Sequence, residues 1–276
     1  MRPTSRQDLL LLHDEQLRTA AELDGATDTG RIGPLWLGRF GSRGFVSYRD
    51  LAGLHGAALS DLIAAALARF AADPAVADVE WKTRGHDAPA DLDAYLVAAG
   101  FEAQQPETVM IGQAGQLAAS GPLPENVVVR RAGTGGVTLA DDVARVAALH
   151  AAVFGVGHSS SAETLLAALS GPADRNQLWL AEAGGEVVGA GRLAAVSGTR
   201  FAGLFGGATE PRWRHRGVYR WLTAARAGAA LELGCDLVYA ECTPFSRPIL
   251  ERSGLVAVTT TTPYLWARGS VGAVAP

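Results

Sequence analysis

The chain has 276 residues, 48% of them hydrophobic and 19% charged, with a formal net charge of −4. These values describe a folded globular chain long enough for one or two domains, and they exclude intrinsic disorder and a globally basic nucleic-acid-binding surface. Cys235 and Cys242, the only two cysteines, make neither a disulfide framework nor a zinc pattern, so a reducing, cytoplasmic setting without metal is expected.

In chain order, Leu9, Leu10, Leu11 and Leu12 are flanked by Asp8, His13, Asp14 and Glu15. That run is too short and too charged for a signal peptide or a membrane span, and an amphipathic helix over 7–23 accounts for it. The pattern then predicts a strand at 45–48, an Ala- and Leu-rich helix at 57–72 and a strand at 76–82. A helix at 89–99, stopped by Gly100, and a strand at 108–111 complete this half. Gly121, Pro122, Leu123 and Pro124 read as a linker.

The second half predicts a strand at 126–131, a helix at 141–154, a Gly- and Ser-rich loop at 155–161 and a helix at 162–169. Strands follow at 178–183, 187–195 and 201–209, with a hairpin turn at Gly184 and Gly185 between the first two. A basic turn, a long helix, a strand at 237–243, a helix at 247–253 and a strand near 264–267 close the chain. Gly234 and Gly254 stand where helix C-caps belong, and the tail after Arg268 reads as frayed. Both halves end in strand, Gly-ended helix and strand, a repeat at the level of elements that any two α/β halves can also show.

The chemistry concentrates in Arg214, His215, Arg216, Gly217, Val218 and Tyr219. Apolar residues at Val218, Trp221, Leu222, Ala225 and Ala229 mark a helix face that begins there. The first N–H groups of a helix lack internal partners and its dipole favours an anion, while Gly217 lets the backbone approach a ligand closely. Arg214 and Arg216 add charge-assisted contacts, so the turn suits phosphate. The corresponding helix of the first half lacks such a turn.

With Arg214 and Gly217 in this turn, the second half resembles the GNAT superfamily of acyl-coenzyme A-dependent N-acyltransferases, whose signature is Arg/Gln-x-x-Gly-x-Gly/Ala between a strand and a long helix. Tyr219 departs at the last position. The preceding Gly206, Gly207, Ala208 and Thr209, and the downstream Leu250 to Leu255 ending in Ser253 and Gly254, follow the family's order. The resemblance implies a mixed α/β (α+β) sheet, with a GNAT domain at 126–268 and a degenerate GNAT-like lobe at 1–120, as in tandem members of the family. It implies acetyl-coenzyme A, or another acyl-coenzyme A, lying between strands that splay apart, its pantetheine along Gly207, Ala208 and Thr209. The pyrophosphate would rest on the amides from His215 to Tyr219, with Tyr219 either reaching for it or packing on the sheet. The implied partner is a small-molecule amine, with no nucleic acid and no membrane; a homodimer through an exposed strand edge is also considered.

Acyl transfer requires a neutral amine, a polarised carbonyl and a proton for the leaving thiolate. Many family members place a Tyr acid four residues before the Gly of the closing Gly-Phe, and this chain has Leu250 there. Ser246, Tyr264 and Tyr239 are the candidate replacements, with water as another. A non-catalytic acyl-coenzyme A-binding or sensing protein is the alternative that Leu250 favours. Glu241 is the first candidate for the base, with partial burial expected to raise its pKa. Glu210 is second; His158, His215 and Cys242 are better read as an exposed loop residue, a phosphate neighbour and core filler. His86 and Asp87 form either a remnant site or an Asx-type turn before Pro89. A nucleotide-binding fold of another type is disfavoured, because neither Gly-x-x-x-x-Gly-Lys-Ser/Thr nor an early Gly-x-Gly-x-x-Gly occurs.

Overall fold

A computed structural model describes residues 5–119, 125–155, 161–169 and 175–269. The first elements are α1 (Arg6–Gln16), β1 (Asp28–Ile32), β2 (Leu35–Phe40), β3 (Arg43–Ser47), α2 (Gly56–Ala71), β4 (Asp78–Arg84), α3 (Leu92–Ala98) and β5 (Glu102–Ala103). There follow β6 (Glu107–Gln113), α4 (Ala114–Ala118), β7 (Val127–Arg131), α5 (Leu139–Phe154), α6 (Ala162–Ala168), β8 (Asn176–Ala183) and β9 (Glu186–Ala195). The last are β10 (Phe201–Thr209), α7 (Val218–Glu232), β11 (Leu237–Cys242), α8 (Arg247–Arg252) and β12 (Val256–Ala267).

The chain forms two compact units. Unit 1 comprises Met1–Val109, Glu241–Arg247 and Ala257–Pro276; unit 2 comprises Met110–Ala240 and Pro248–Val256. The units therefore do not follow the chain halves, and the Gly- and Pro-rich stretch at 121–124 lies outside the described residues. The closing strand β12 belongs with the first half, antiparallel to β4 over Thr261↔Arg84 to Ala267↔Asp78.

In unit 1, β1, β2 and β3 form an antiparallel meander, β3 runs parallel to β4, and β5 pairs with β12. Helix α2 buries Leu59, Leu62, Ile63, Ala66 and Phe70, a three-four spacing that turns one face onto the core of Val46, Val79 and Trp81. The helix predicted at 7–23 stops at Gln16. Thr19 is extended and caps a separate 3-10 turn, Ala20–Leu23, through its side chain, which breaks the helix there. The hairpin β1–β2 was not legible, because β1 is a polar strand with no residue fully buried. β12 is also longer than the predicted 264–267, since the Thr-rich run before Pro263 suits an extended chain.

In unit 2, β7, β8, β9 and β10 are antiparallel neighbours and β10 runs parallel to β11. Helix α5 places Val143, Val146 and Leu149 against Leu178, Leu180 and Ala190. Asp142 fixes that helix: its carboxylate, fully buried, takes Arg130 at 2.6 and 2.7 Å, Arg145 at 3.2 Å and the Gly133 N–H at 2.9 Å. Glu182 on β8 shares both arginines, at 2.6 Å each. Helix α7 sits close to the sheet because Gly189 and Gly191 stand beneath it. A Cβ on Gly189 would lie 2.8 Å from Val218 Cγ1, and one on Gly191 would lie 2.5 Å from Arg226 Nη1. Both cysteines are buried, and burial pushes the Cys235 thiol up.

Candidate active site

Two strands of unit 2 part where a ligand backbone could enter. β10 and β11 are paired only at Phe201↔Leu237, Ala202↔Val238 and Gly203↔Tyr239, although β10 continues to Thr209. On its other edge β10 is bulged: Phe205 faces Arg192 and Ala208 faces Ala190, so Gly206 and Gly207 stand opposite Gly191 alone. Gly206 takes a φ of +58°, which a side chain would oppose, and it is exposed in mid-strand. The parted edge leaves backbone groups of β10 free to meet an extended ligand. At the end of β10 the Thr209 hydroxyl is buried without a hydrogen-bond partner among the described residues, a polar atom that a bound ligand would satisfy.

The turn after β10 has the geometry expected of an anion cradle. Glu210 accepts from the Arg212 N–H at 3.0 Å and starts a 3-10 turn, Pro211–Trp213. His215 and Gly217 then adopt φ of +62° and +82°, and α7 begins at Val218. Left-handed residues of this kind gather where backbone N–H groups must converge. Arg214, His215 and Arg216 are exposed, and a Cβ on Gly217 would meet nothing, so the mouth of the turn is open. Arg216 stacks on Trp213 at 5.1 Å. Val218 is buried, so its side chain turns into the core.

Tyr219 lies over Gly207: a Cβ there would come within 2.8 Å of Tyr219 Cε2. Beside it, Arg226 is buried and donates to the carbonyls of Leu222 at 3.0 Å and Arg192 at 3.2 Å. Burial lowers the Arg226 pKa and Tyr219 opposes that effect. The residues present thus fit coenzyme A: a parted strand edge, an orphaned hydroxyl and an open basic turn at a helix N-terminus. Among the described residues no three or more His, Cys, Asp or Glu are placed to hold a metal ion, and no helix is long and apolar enough to cross a membrane.

The side chains expected to move protons are not gathered at one point. Glu241, in unit 1, is ion-paired with Lys82 and lies 3.6 Å from Arg84. Burial alone would raise its pKa, as expected, but the two cations outweigh burial and hold it below the usual carboxylate value. Tyr264 is 7% exposed within the unit 1 core, opposite Trp81 in register. Lys82, the next residue of β4, points to the other face and carries Glu241 with it, so Tyr264 and Glu241 lie on opposite faces. Burial and Asp93 raise the Tyr264 pKa. Ser246 is half-buried at the turn before α8. Leu250 is buried, and His158 lies outside the described residues. Tyr239 is half-buried, edge-on to Phe201 and Phe205 at 6.2 and 5.8 Å. Asp87 accepts from the Arg84 N–H at 2.7 Å, three residues before it rather than two after as in an Asx turn, and also from the Tyr48 hydroxyl at 2.5 Å.

Two residues at the bulge were not singled out by the sequence. His150 Nε2 lies 3.0 Å from the Gly206 carbonyl, and its ring packs on Phe154 at 5.5 Å. Burial lowers its pKa, with the charge of Arg192 adding to the effect against the Gly206 contact. The signal was a His in the apolar face that includes Val143 and Val146. Arg192, a cation in an otherwise apolar and small-residue strand, was the other.

The parted central strands and the open basic turn at the start of α7 thus lie in one α/β unit. Residues 144–251 match the acetyltransferase (GNAT) family model. Similar folds include a GCN5-related N-acetyltransferase from Kribbella flavida, with TM-score 0.69 and 16% identity, covering 91% of this chain and 95% of that one. Another, from Sphaerobacter thermophilus, has TM-score 0.57 and 16% identity, covering 85% and 76%. A tandem GNAT protein from the clavulanic acid biosynthesis pathway has TM-score 0.60 and 14% identity, covering 95% and 93%. No curated protein matches the chain.

Proposed function

We propose that the protein moves an acetyl group from acetyl-coenzyme A to the amine of a small molecule, by direct attack while both are bound. The observation that carries this reading is the parting of β10 from β11 after Gly203 and Tyr239, next to the left-handed Gly217 turn. In this reading Gly207, Ala208 and Thr209 hold the pantetheine, and Arg214, His215, Arg216, Gly217, Val218 and Tyr219 hold the pyrophosphate.

The amine nitrogen attacks the thioester carbonyl, a C–N bond forms, the C–S bond breaks, and the nitrogen gives up a proton while the thiolate gains one. Glu241 is the proposed base. Its ion pairs keep it ionised but lower its proton affinity, so it works through water and its contribution sits at the low end of general base catalysis, roughly 100-fold. Ser246 or water supplies the thiolate proton, because Leu250 carries none and Tyr264 is committed to the unit 1 core.

We read the first lobe as a degenerate copy. β3 and β4 run parallel with α2 between them in the chain, yet α2 opens at Gly56 without a basic turn. Beyond the end of β3, Tyr48 bonds Asp87, Asp87 pairs with Arg18 at 2.7 Å, and Glu22 joins Ser47 to Arg84 at 2.5 and 2.9 Å. Side chains thus pair with one another at that end of β3.

The test is calorimetric titration of acetyl-coenzyme A into the wild type and Gly217→Asp, with circular dichroism as the folding control. Wild-type binding that vanishes in the folded variant is expected. No wild-type binding, or unchanged binding by the variant, would sink the reading.

A further inference from the structure

The bulge of β10 carries a cation that the transfer chemistry does not use. Arg192 stands opposite Phe205, the last residue before the bulge, with its guanidinium 5.5 Å from the ring centroid. Among the described residues it has no carboxylate or carbonyl partner, and burial alone lowers its pKa. Arg226 spends its donors on Leu222, Thr223 and the Arg192 carbonyl, while Arg130 and Arg145 share Asp142 and Glu182. A guanidinium cannot shed its proton, so a half-buried one without a counter-ion is an anion site whose planar fork fits a carboxylate.

The surroundings place Arg192 beside the bulge and the parted strands. Phe205 precedes Gly206 and Gly207, and Gly206 is exposed in the gap left by the parted strands. His150 is tied to the Gly206 carbonyl and burial lowers its pKa, so Arg192 is the standing charge at the bulge. Phe205 and Tyr239 meet edge to face and form an apolar wall beside it.

We propose that the acetyl acceptor is an amine that also bears a carboxylate, and that Arg192 binds this carboxylate and so directs the amine to the bulge at Gly206 and Gly207. The proposal rests on the acetyltransferase reading and adds the class of acceptor. Polycationic amines are disfavoured by the same charge.

The experiment measures coenzyme A release from acetyl-coenzyme A with matched pairs that differ by one carboxylate: L-phenylalanine and phenethylamine, L-tyrosine and tyramine, L-lysine and cadaverine. Each is run with the wild type, Arg192→Gln and Arg192→Lys, and acetyl-coenzyme A affinity is measured by calorimetry for all three proteins. The wild type should favour a carboxylate member by at least about tenfold in kcat/KM. Arg192→Gln should raise the KM for that member by a similar factor with kcat and acetyl-coenzyme A affinity retained, and Arg192→Lys should recover part of the loss. Equal use of both members, a preference that survives in Arg192→Gln, or no turnover of any pair by protein that binds acetyl-coenzyme A overturns the proposal. Failure to bind acetyl-coenzyme A would instead remove the reading beneath it.

Discussion

The Tyr219 ring occupies the space that a Gly207 side chain would need, with Tyr219 Cε2 2.8 Å from the built Cβ position. The family signature resembled by this turn has a small residue where Tyr219 stands, and the chain accommodates the ring by having no side chain on the facing strand. Gly207→Ala alone therefore overpacks the contact and should cost about 1 to 3 kcal/mol, read as a lower midpoint in urea. Tyr219→Ala should make Gly207→Ala nearly harmless in the double variant. Additive losses would mean that the two residues are independent.

Asp142 should be the most sensitive polar residue of unit 2. It is fully buried and receives Arg130, Arg145 and the Gly133 N–H, so Asp142→Ala leaves two guanidinium groups without half their counter-charge. The expected loss is about 3 kcal/mol in chemical denaturation. A loss under about 1 kcal/mol, the range of an exposed pair, would show that Glu182 alone holds both arginines.

Glu241→Gln tests base and ion pair together. Lys82 and Arg84 would lose their shared carboxylate, so stability near neutral pH should fall by about 2 to 3 kcal/mol, and kcat by roughly 100-fold. The pH dependence has a definite sign. A carboxylate with a lowered folded pKa contributes fully above its ordinary value and loses that contribution as pH falls through the lowered one. The stability gap between wild type and variant should therefore close in acid, below about pH 4.5. A gap that widens in acid, or unchanged kcat at neutral pH, would rule out the corresponding role.

The parts of the site that were legible in the sequence are those built from neighbours in the chain. Arg214, Gly217 and the helix face beginning at Val218 announce the anion turn, because a helix start is fixed by a few consecutive residues. Gly100, Gly234 and Gly254 mark helix ends for the same reason, and each takes a positive φ. The polar edge strand β1 gave no such signal, since its residues pack against little and so need no alternating pattern.

The amino-acid sequence by itself determined most elements of the second half and the Gly217 turn that opens α7, because both follow from local capping, periodicity and backbone freedom. Only the tertiary structure decided which strands part, that β12 closes on β4, and that Tyr219 rests on Gly207. It also decided the direction of the Glu241 pKa, which burial and paired cations push in opposite directions, and it left Arg192 without a counter-ion among the described residues. Those outcomes depend on residues far apart in the chain, and the sign of an electrostatic effect is known only when every nearby charge has been placed.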